Sequence, residues 1–260
     1  MSDAPSQPAA AWSPADLAAN PHLNSDKPTK VRGMFSAIAG SYDLNNRVHS
    51  MWQDVRWRKF AVRKAEVKPG EHVLDVACGT GDLTQAFAKL SPAAKVTGVD
   101  FTPAMLSFAG EKRQKLSPEI AAKITYAEGD AQQLAFPDAQ FDVVSIAWGI
   151  RNVANPMQAL REFRRVLKPG GRLIVLEFSH PANPLMRWFN DFYCGQIMPR
   201  TATWISGDKS GAYKYLPKSV TTFTTRHEFE RTLREAEFSS VESWNLTGGI
   251  CVCYRAMKSN

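Results

Sequence analysis

The run Val73-Leu74-Asp75-Val76-Ala77-Cys78-Gly79-Thr80-Gly81-Asp82 ends an apolar stretch in a small-residue turn with two glycines one residue apart. A helical pattern begins at Asp82. Glycine has no Cβ, so such a turn lets a ligand press against the backbone. Downstream, Lys95-Val96-Thr97-Gly98-Val99-Asp100 is a second apolar strand ending in a carboxylate. That acid lies about 20 residues past the glycines, the spacing that sets a carboxylate against ribose hydroxyls in a nucleotide-binding sheet. A dinucleotide site wants a third glycine, and Thr84 stands there instead. Asp82 suits a helix N-terminus but would repel a pyrophosphate.

The chemistry left is that of a nucleoside carrying positive charge, and S-adenosylmethionine (SAM) fits. Gly79, Thr80 and Gly81 would floor the methionine moiety, and Asp82 would face its cationic end. Asp100 would accept hydrogen bonds from both ribose hydroxyls. Asp130, in Glu128-Gly129-Asp130-Ala131, would accept from the adenine amine, with Phe101 against the ring. Plainer roles stand beside these: Asp82 as a helix-start acid, Asp100 as a cap for the next helix, Met105 as core.

Several elements must position these residues. Strands are predicted over 73–77, 95–99, 124–127, 141–147 and 172–178, and helices over 82–90, 103–115 and 156–167. Repeated βα units with short turns imply a parallel sheet covered on both faces. An aromatic- and proline-rich interruption fills 181–222, then come a helix over 226–236 and strands over 241–246 and 249–256. The short Thr247-Gly248 link makes the last two an antiparallel hairpin. This is the α/β pattern of class I methyltransferases: a Rossmann-like, mostly parallel seven-stranded sheet with an antiparallel C-terminal hairpin and helices on both faces. Ligands of such sheets gather at the carboxyl ends of the strands.

The 260 residues fit one large domain with an appendage. Residues 1–30 are rich in Ala, Pro, Ser and Asn and are expected to form a disordered tail. Residues 31–260 then form a single methyltransferase domain, with a basic helical lid over 31–68 and a substrate-side insert over 181–222. Residues 31–68 hold eight Lys/Arg against three Asp/Glu, whereas 69–180 balance at twelve each. The excess charge sits on the flanks, where it can meet nucleic acid, an anionic membrane or only solvent. Cys78, Cys194, Cys251 and Cys253 show no metal-ligand spacing, and no metal is expected. Cys251 and Cys253 share a strand face and read as core. Nothing demands an oxidising compartment, so the chain is expected in the cytoplasm.

After the fourth strand comes Ala147-Trp148-Gly149-Ile150-Arg151-Asn152-Val153. Enzymes that methylate base amines carry an Asn/Asp-Pro-Pro-aromatic run here to grip a flipped base. Its absence disfavours nucleic acid as a partner. The stretch Met34–Asn46, with its Tyr42-Asp43-x-x-Asn46 run, Cys78–Thr84, Gly149–Val153, Arg165–Gly171, Leu176–Ser179, Tyr213–Leu216 and Asn245–Gly249 together resemble the ubiquinone/menaquinone biosynthesis C-methyltransferase family (UbiE/MenG type), over about 31–254. The resemblance implies methylation of a ring carbon of a polyprenylated quinol, with SAM contacts at Thr80, Asp100, Asp130 and Ala131. The family often has serine where this chain has Ala147, so only a backbone contact is expected there.

The resemblance also frames the chemistry. A quinol oxygen that loses its proton pushes electron density onto the adjacent ring carbon, which attacks the sulfonium methyl. Arg151 would stabilise the phenolate and Asn152 would orient it. Tyr42, Asp43, His49 or a bound water would take the proton. Cys78 and the overall look of the sequence are closer to the menaquinone-type members, so demethylmenaquinol is the expected acceptor. The alternatives are 2-polyprenyl-6-methoxy-1,4-benzoquinol of ubiquinone biosynthesis, another lipid-like phenol, or a SAM-dependent RNA-binding protein without turnover. An isoprenoid tail calls for peripheral contact with a membrane surface. Val48, Met51, Trp52 and Val55 beside Arg47, Arg56, Arg58 and Lys59 would form an interfacial helix. Trp188, Phe189, Phe192, Tyr193 and Trp204 would wall a tail tunnel. Self-association into a homo-oligomer is left open.

Overall fold

Apolar runs between short turns become strands, and the amphipathic stretches between them become helices. The computed structural model describes residues 11–260. Its strands are β1 (His72–Val76), β2 (Lys95–Asp100), β3 (Ile124–Glu128), β4 (Phe141–Ala147), β5 (Leu167–Phe178), β6 (Ser239–Leu246) and β7 (Cys251–Met257). They form one sheet in the order β3-β2-β1-β4-β5-β7-β6. The first five run parallel, whereas β7 pairs antiparallel with both β5 and β6. The C-terminal hairpin is as expected, with its second strand inserted beside β5. A 3₁₀ turn over Thr247–Gly249 joins its arms.

The helices are α1 (Pro14–Ala18), α2 (Lys27–His49), α3 (Gln53–Lys64), α4 (Asp82–Leu90), α5 (Pro103–Gln114), α6 (Pro118–Ala122), α7 (Pro156–Val166), α8 (Pro184–Phe192), α9 (Met198–Ser206), α10 (Ala212–Thr221) and α11 (Arg226–Glu235). Alternating strand residues feed two cores. Leu74, Val144 and Leu173 meet Phe163 of α7 and Phe229 of α11 on one face. Val73, Val143 and Ile174 meet Trp57 of α3 and Phe87 of α4 on the other, where Cys251 and Cys253 are also buried. A third cluster joins Val31, Met34 and Ile38 of α2 to Ala202, Tyr213 and Tyr215.

Two expectations need correction. Residues 1–10 of the expected tail lie outside the described residues, but 11–30 are folded. Trp12 is buried and stacks on Tyr215 at 4.3 Å between ring centroids, and α2, which holds most of the expected basic segment's first half, starts at Lys27. One tryptophan and one lysine leave no periodic trace, so only tertiary contacts reveal the segment. Second, residues 48–55 are not one helical face. The chain breaks after His49 and turns through Met51 (φ 50°) and Trp52 (φ 59°) before α3 begins, and Arg58 is buried. The 181–222 insert, to which the sequence assigned no secondary structure, is helical, with α8 and α9 joined by a π-helical turn over Tyr193–Ile197.

Candidate active site

Strand order reverses between β1 and β4, and the first cavity opens there, at the carboxyl ends of the strands. Its floor is Ala77 and Gly79 after β1, Asp100 and Phe101 at the end of β2, Gly129–Gln132 after β3, and Ala147–Gly149 after β4. Its roof is Pro28, Val31, Phe35 and Tyr42. These sit three, four and seven residues apart on α2, one helical face. That spacing was a usable signal, but the reading of 1–30 as disordered hid its beginning.

Gly79 has φ +55°, and a Cβ there would meet nothing within 4 Å, so the turn presents open space to the cavity. Asp100 is buried, its two oxygens accepting from the Gly79 and Thr102 amides at 2.8 Å each. Burial raises its pKa, and these backbone donors partly offset the rise. Each oxygen keeps a lone pair for a further donor. Capping the turn therefore does not exhaust the acceptor capacity of Asp100. Asp130, Phe101, Ala131 and Ala147 line the same cavity.

Thr80, Gly81 and Asp82 are not on its wall. Gly81 is needed for packing: a Cβ there would lie 2.1 Å from the Tyr126 hydroxyl. Thr80 Oγ1 donates to Asp43 at 2.6 Å. Asp82 is ion-paired with Arg47 at 2.5 Å, with Arg58 at 3.4 Å and with Lys112. Burial alone would raise its pKa, but the Arg58, Lys112 and Arg47 charges win and hold it well below the usual carboxylate range. Asp54 binds the same arginines, and Lys112 also pairs with Asp43 at 2.6 Å. This buried charge cluster fastens α2 and α3 to the glycine turn. It absorbs both Asp82, expected to face the cofactor, and Asp43, expected as a proton acceptor.

A second cavity of about 1090 Å³ lies between α2, the insert helices and the end of β5. Arg151, His49 and Tyr193 are on its wall. Tyr42 and Trp148 line both cavities, so these two side chains mark where the cavities adjoin. Trp148 takes φ 53° at the end of β4, a strained conformation of the kind that clusters at ligand sites.

Arg151 is more tied down than its sequence suggests. Nη1 donates to Glu177 and to the Trp148 carbonyl, both at 2.7 Å, and Nε donates to Ser219 at 3.2 Å. These bonds use Nε and Nη1, leaving Nη2. Replacing Arg151 with alanine would strand the buried Glu177, so loss of turnover alone would not prove a chemical role. Asn152 lines the first cavity, donates to the Trp148 carbonyl at 3.1 Å and accepts from Tyr215 at 3.0 Å. Both residues brace Trp148.

Burial raises the pKa of Tyr42 above the ordinary phenol value. Burial lowers that of His49 below 6.5. His49 Nδ1 meets the Tyr193 hydroxyl at 2.9 Å, and Nε2 is buried without a hydrogen-bond partner. Trp188, Phe189, Phe192 and Trp204 are not on the cavity wall; of the five aromatics expected there, Tyr193 alone is.

The ubiE/COQ5 methyltransferase family model matches residues 23–258. Among curated relatives, a ubiquinone/menaquinone biosynthesis C-methyltransferase UbiE from Ectopseudomonas mendocina is 40% identical over 90% of this chain and 91% of its own. The corresponding protein from Geobacter sp. is 39% identical, covering 90% and 98%. Among solved structures, a SAM-dependent methyltransferase from Thermotoga maritima superposes with a TM-score of 0.60 at 19% identity, covering 87% of this chain and 99% of that one. That last likeness speaks for the fold alone.

Proposed function

The chain belongs to the ubiE/COQ5 methyltransferase family, and on that premise we propose that it transfers a methyl group from SAM to a ring carbon of a polyprenylated quinol, with demethylmenaquinol as the acceptor. The supporting observation is the pair of cavities adjoining at Tyr42 and Trp148. One has the carboxylate and glycine turn of a nucleoside site; the other is large, with a wall surface that is mainly apolar and is interrupted by polar side chains. Cys78 lines neither cavity, so the choice of a naphthoquinol over a benzoquinol rests on the family resemblance.

Asp100 would hold the ribose, Asp130 and Phe101 the adenine, and Gly79 the amino-acid end, with Ala131 and Ala147 closing the wall. SAM supplies an electrophilic methyl group on a sulfonium. On the acceptor side, the protein must remove one phenolic proton, hold the ring in line, and let the proton on the methylated ring carbon leave so that the quinol is restored with its oxygen reprotonated, and positioning alone can supply several kcal/mol. Among Tyr42, Asp43 and His49, His49 is the one that lines the acceptor cavity and stays unprotonated at neutral pH. Its partnerless Nε2 is a valence that a substrate hydroxyl would satisfy. Tyr42, held protonated, donates a hydrogen bond at the junction. Arg151 Nη2, the nitrogen its other bonds leave over, would stabilise the developing phenolate, with Glu177 fixing the guanidinium. The isoprenoid tail implies peripheral contact with a membrane surface.

Incubation with methyl-labelled SAM and each reduced quinone tests this. Label in the naphthoquinol ring supports the reading. Label in the benzoquinol alone moves the enzyme to the ubiquinone branch, and label in neither overturns the proposal.

A further inference from the structure

We infer that the outer face of α8 and α9 docks on the interfacial layer of an anionic lipid bilayer, placing the acceptor cavity against the membrane. This rests on the reading that the acceptor carries an isoprenoid tail. The helix α8 has no buried residue. Leu185, Trp188, Phe189 and Phe192 are 65%, 60%, 55% and 50% exposed, and Trp204 of α9 is 85% exposed. Such a contiguous apolar face is unusual on a protein surface without a binding role. It is also ordered in advance. Asn183 caps α8 by accepting from the Leu185 and Met186 amides, and Trp188 stacks on Phe192 with centroids 6.0 Å apart.

The same segment turns Asn190, Tyr193 and Met198 toward the acceptor cavity. It is therefore the wall between that cavity and the outside. Met51 lines the cavity as well, and with Trp52 it forms a second exposed apolar tip. Residues 184–221 carry five Lys/Arg against two Asp, and Arg187, Arg200 and Lys214 are exposed, the last two also on the cavity wall. That excess complements an anionic leaflet. Tryptophan and phenylalanine beside cationic side chains suit the headgroup boundary. Among the described residues no helix is long and apolar enough to cross a membrane, so this contact is peripheral.

Flotation of the full chain with phosphatidylcholine vesicles, with and without phosphatidylglycerol, is the test. The chain should float with the phosphatidylglycerol vesicles, and a Trp188→Glu/Phe192→Glu variant should bind them about tenfold more weakly or worse. That variant should keep S-adenosylhomocysteine affinity and turnover on a short-chain quinol. No flotation of the parent chain, or undiminished flotation of the variant, overturns the inference. A concentration-dependent dimer that the variant abolishes also overturns it, since the face would then cover a second copy. Absence of parent turnover on the short-chain quinol refutes the methylation reading instead, whatever the vesicles show.

Discussion

Lys27 Nζ donates a 2.8 Å hydrogen bond to the main-chain oxygen of Arg151, across 124 residues of sequence. Its other partners are the Val153 oxygen at 2.7 Å and His22 Nδ1 at 3.2 Å. His22 Nε2 lies 2.8 Å from the Ser219 oxygen and must donate to it, so Nδ1 is the acceptor. All three ammonium protons are used, and the start of α2 is pinned to the turn that braces Trp148. Lys27→Met should leave two buried carbonyls unpaired, costing ~1–3 kcal/mol each. Calorimetric unfolding should show a melting point lower by several degrees, with turnover falling more than S-adenosylhomocysteine affinity. Burial, then the Arg151 charge, lowers the Lys27 pKa to about 8. The unfolded chain holds that proton up to 10.5, so the contribution of Lys27 to stability should rise with pH between those values. The Lys27→Met variant should lack that rise.

Asp100→Asn keeps the shape of the side chain and removes its charge. Loss of charge-assisted hydrogen bonding to a ribose should weaken S-adenosylhomocysteine binding roughly 10–100-fold by calorimetry. Unchanged affinity would remove Asp100 from the ligand site and leave it a turn-capping residue.

His49→Ala should slow turnover on the order of 10²-fold while sparing cofactor affinity. A base acts when unprotonated. The parent rate should therefore fall as pH drops through the folded pKa of His49, which burial places below 6.5. The variant should lose that acid limb. An unshifted limb in His49→Ala would assign the proton to another group.

How far the sequence reached depends on the kind of signal each residue leaves. The positions of Gly79, Asp100, Asp130 and Arg151 on the cavity walls were legible because turn chemistry and strand ends are local, and the βα alternation brought their loops to one edge. Asp82 was placed facing the cofactor because its ion-pair partners, Arg47, Arg58 and Lys112, come from three other helices, and Asp43 was placed as a proton acceptor because its partner, Lys112, comes from α5. Glu177, which neutralises Arg151, sits at the end of β5 and reads from sequence as one more strand residue. The outward aromatics of α8 were recognised as important but assigned inward. Periodicity says which residues share a helix face and not which way the face turns.

Asp75 sits under the glycine turn, accepting from Thr84 at 2.7 Å and Ser145 at 2.8 Å. Burial raises its pKa from 3.8 to about 6, with the two hydroxyls pulling the other way. A carboxyl raised in the folded state favours folding when protonated, so this contribution is complete below pH 3.8 and lost as pH rises through about 6. The loss is roughly 3 kcal/mol by linkage. Asp75→Asn should therefore gain stability relative to the parent between pH 4 and pH 7 in paired denaturant titrations.

The most direct test of methyl transfer between the two cavities is a single-turnover reaction with ¹³C-methyl SAM and a reduced short-chain naphthoquinone, read by the chemical shift of the label. The expected product carries the ¹³C methyl on a ring carbon. A methyl bound to oxygen, or label that stays on sulfur throughout, would contradict the account.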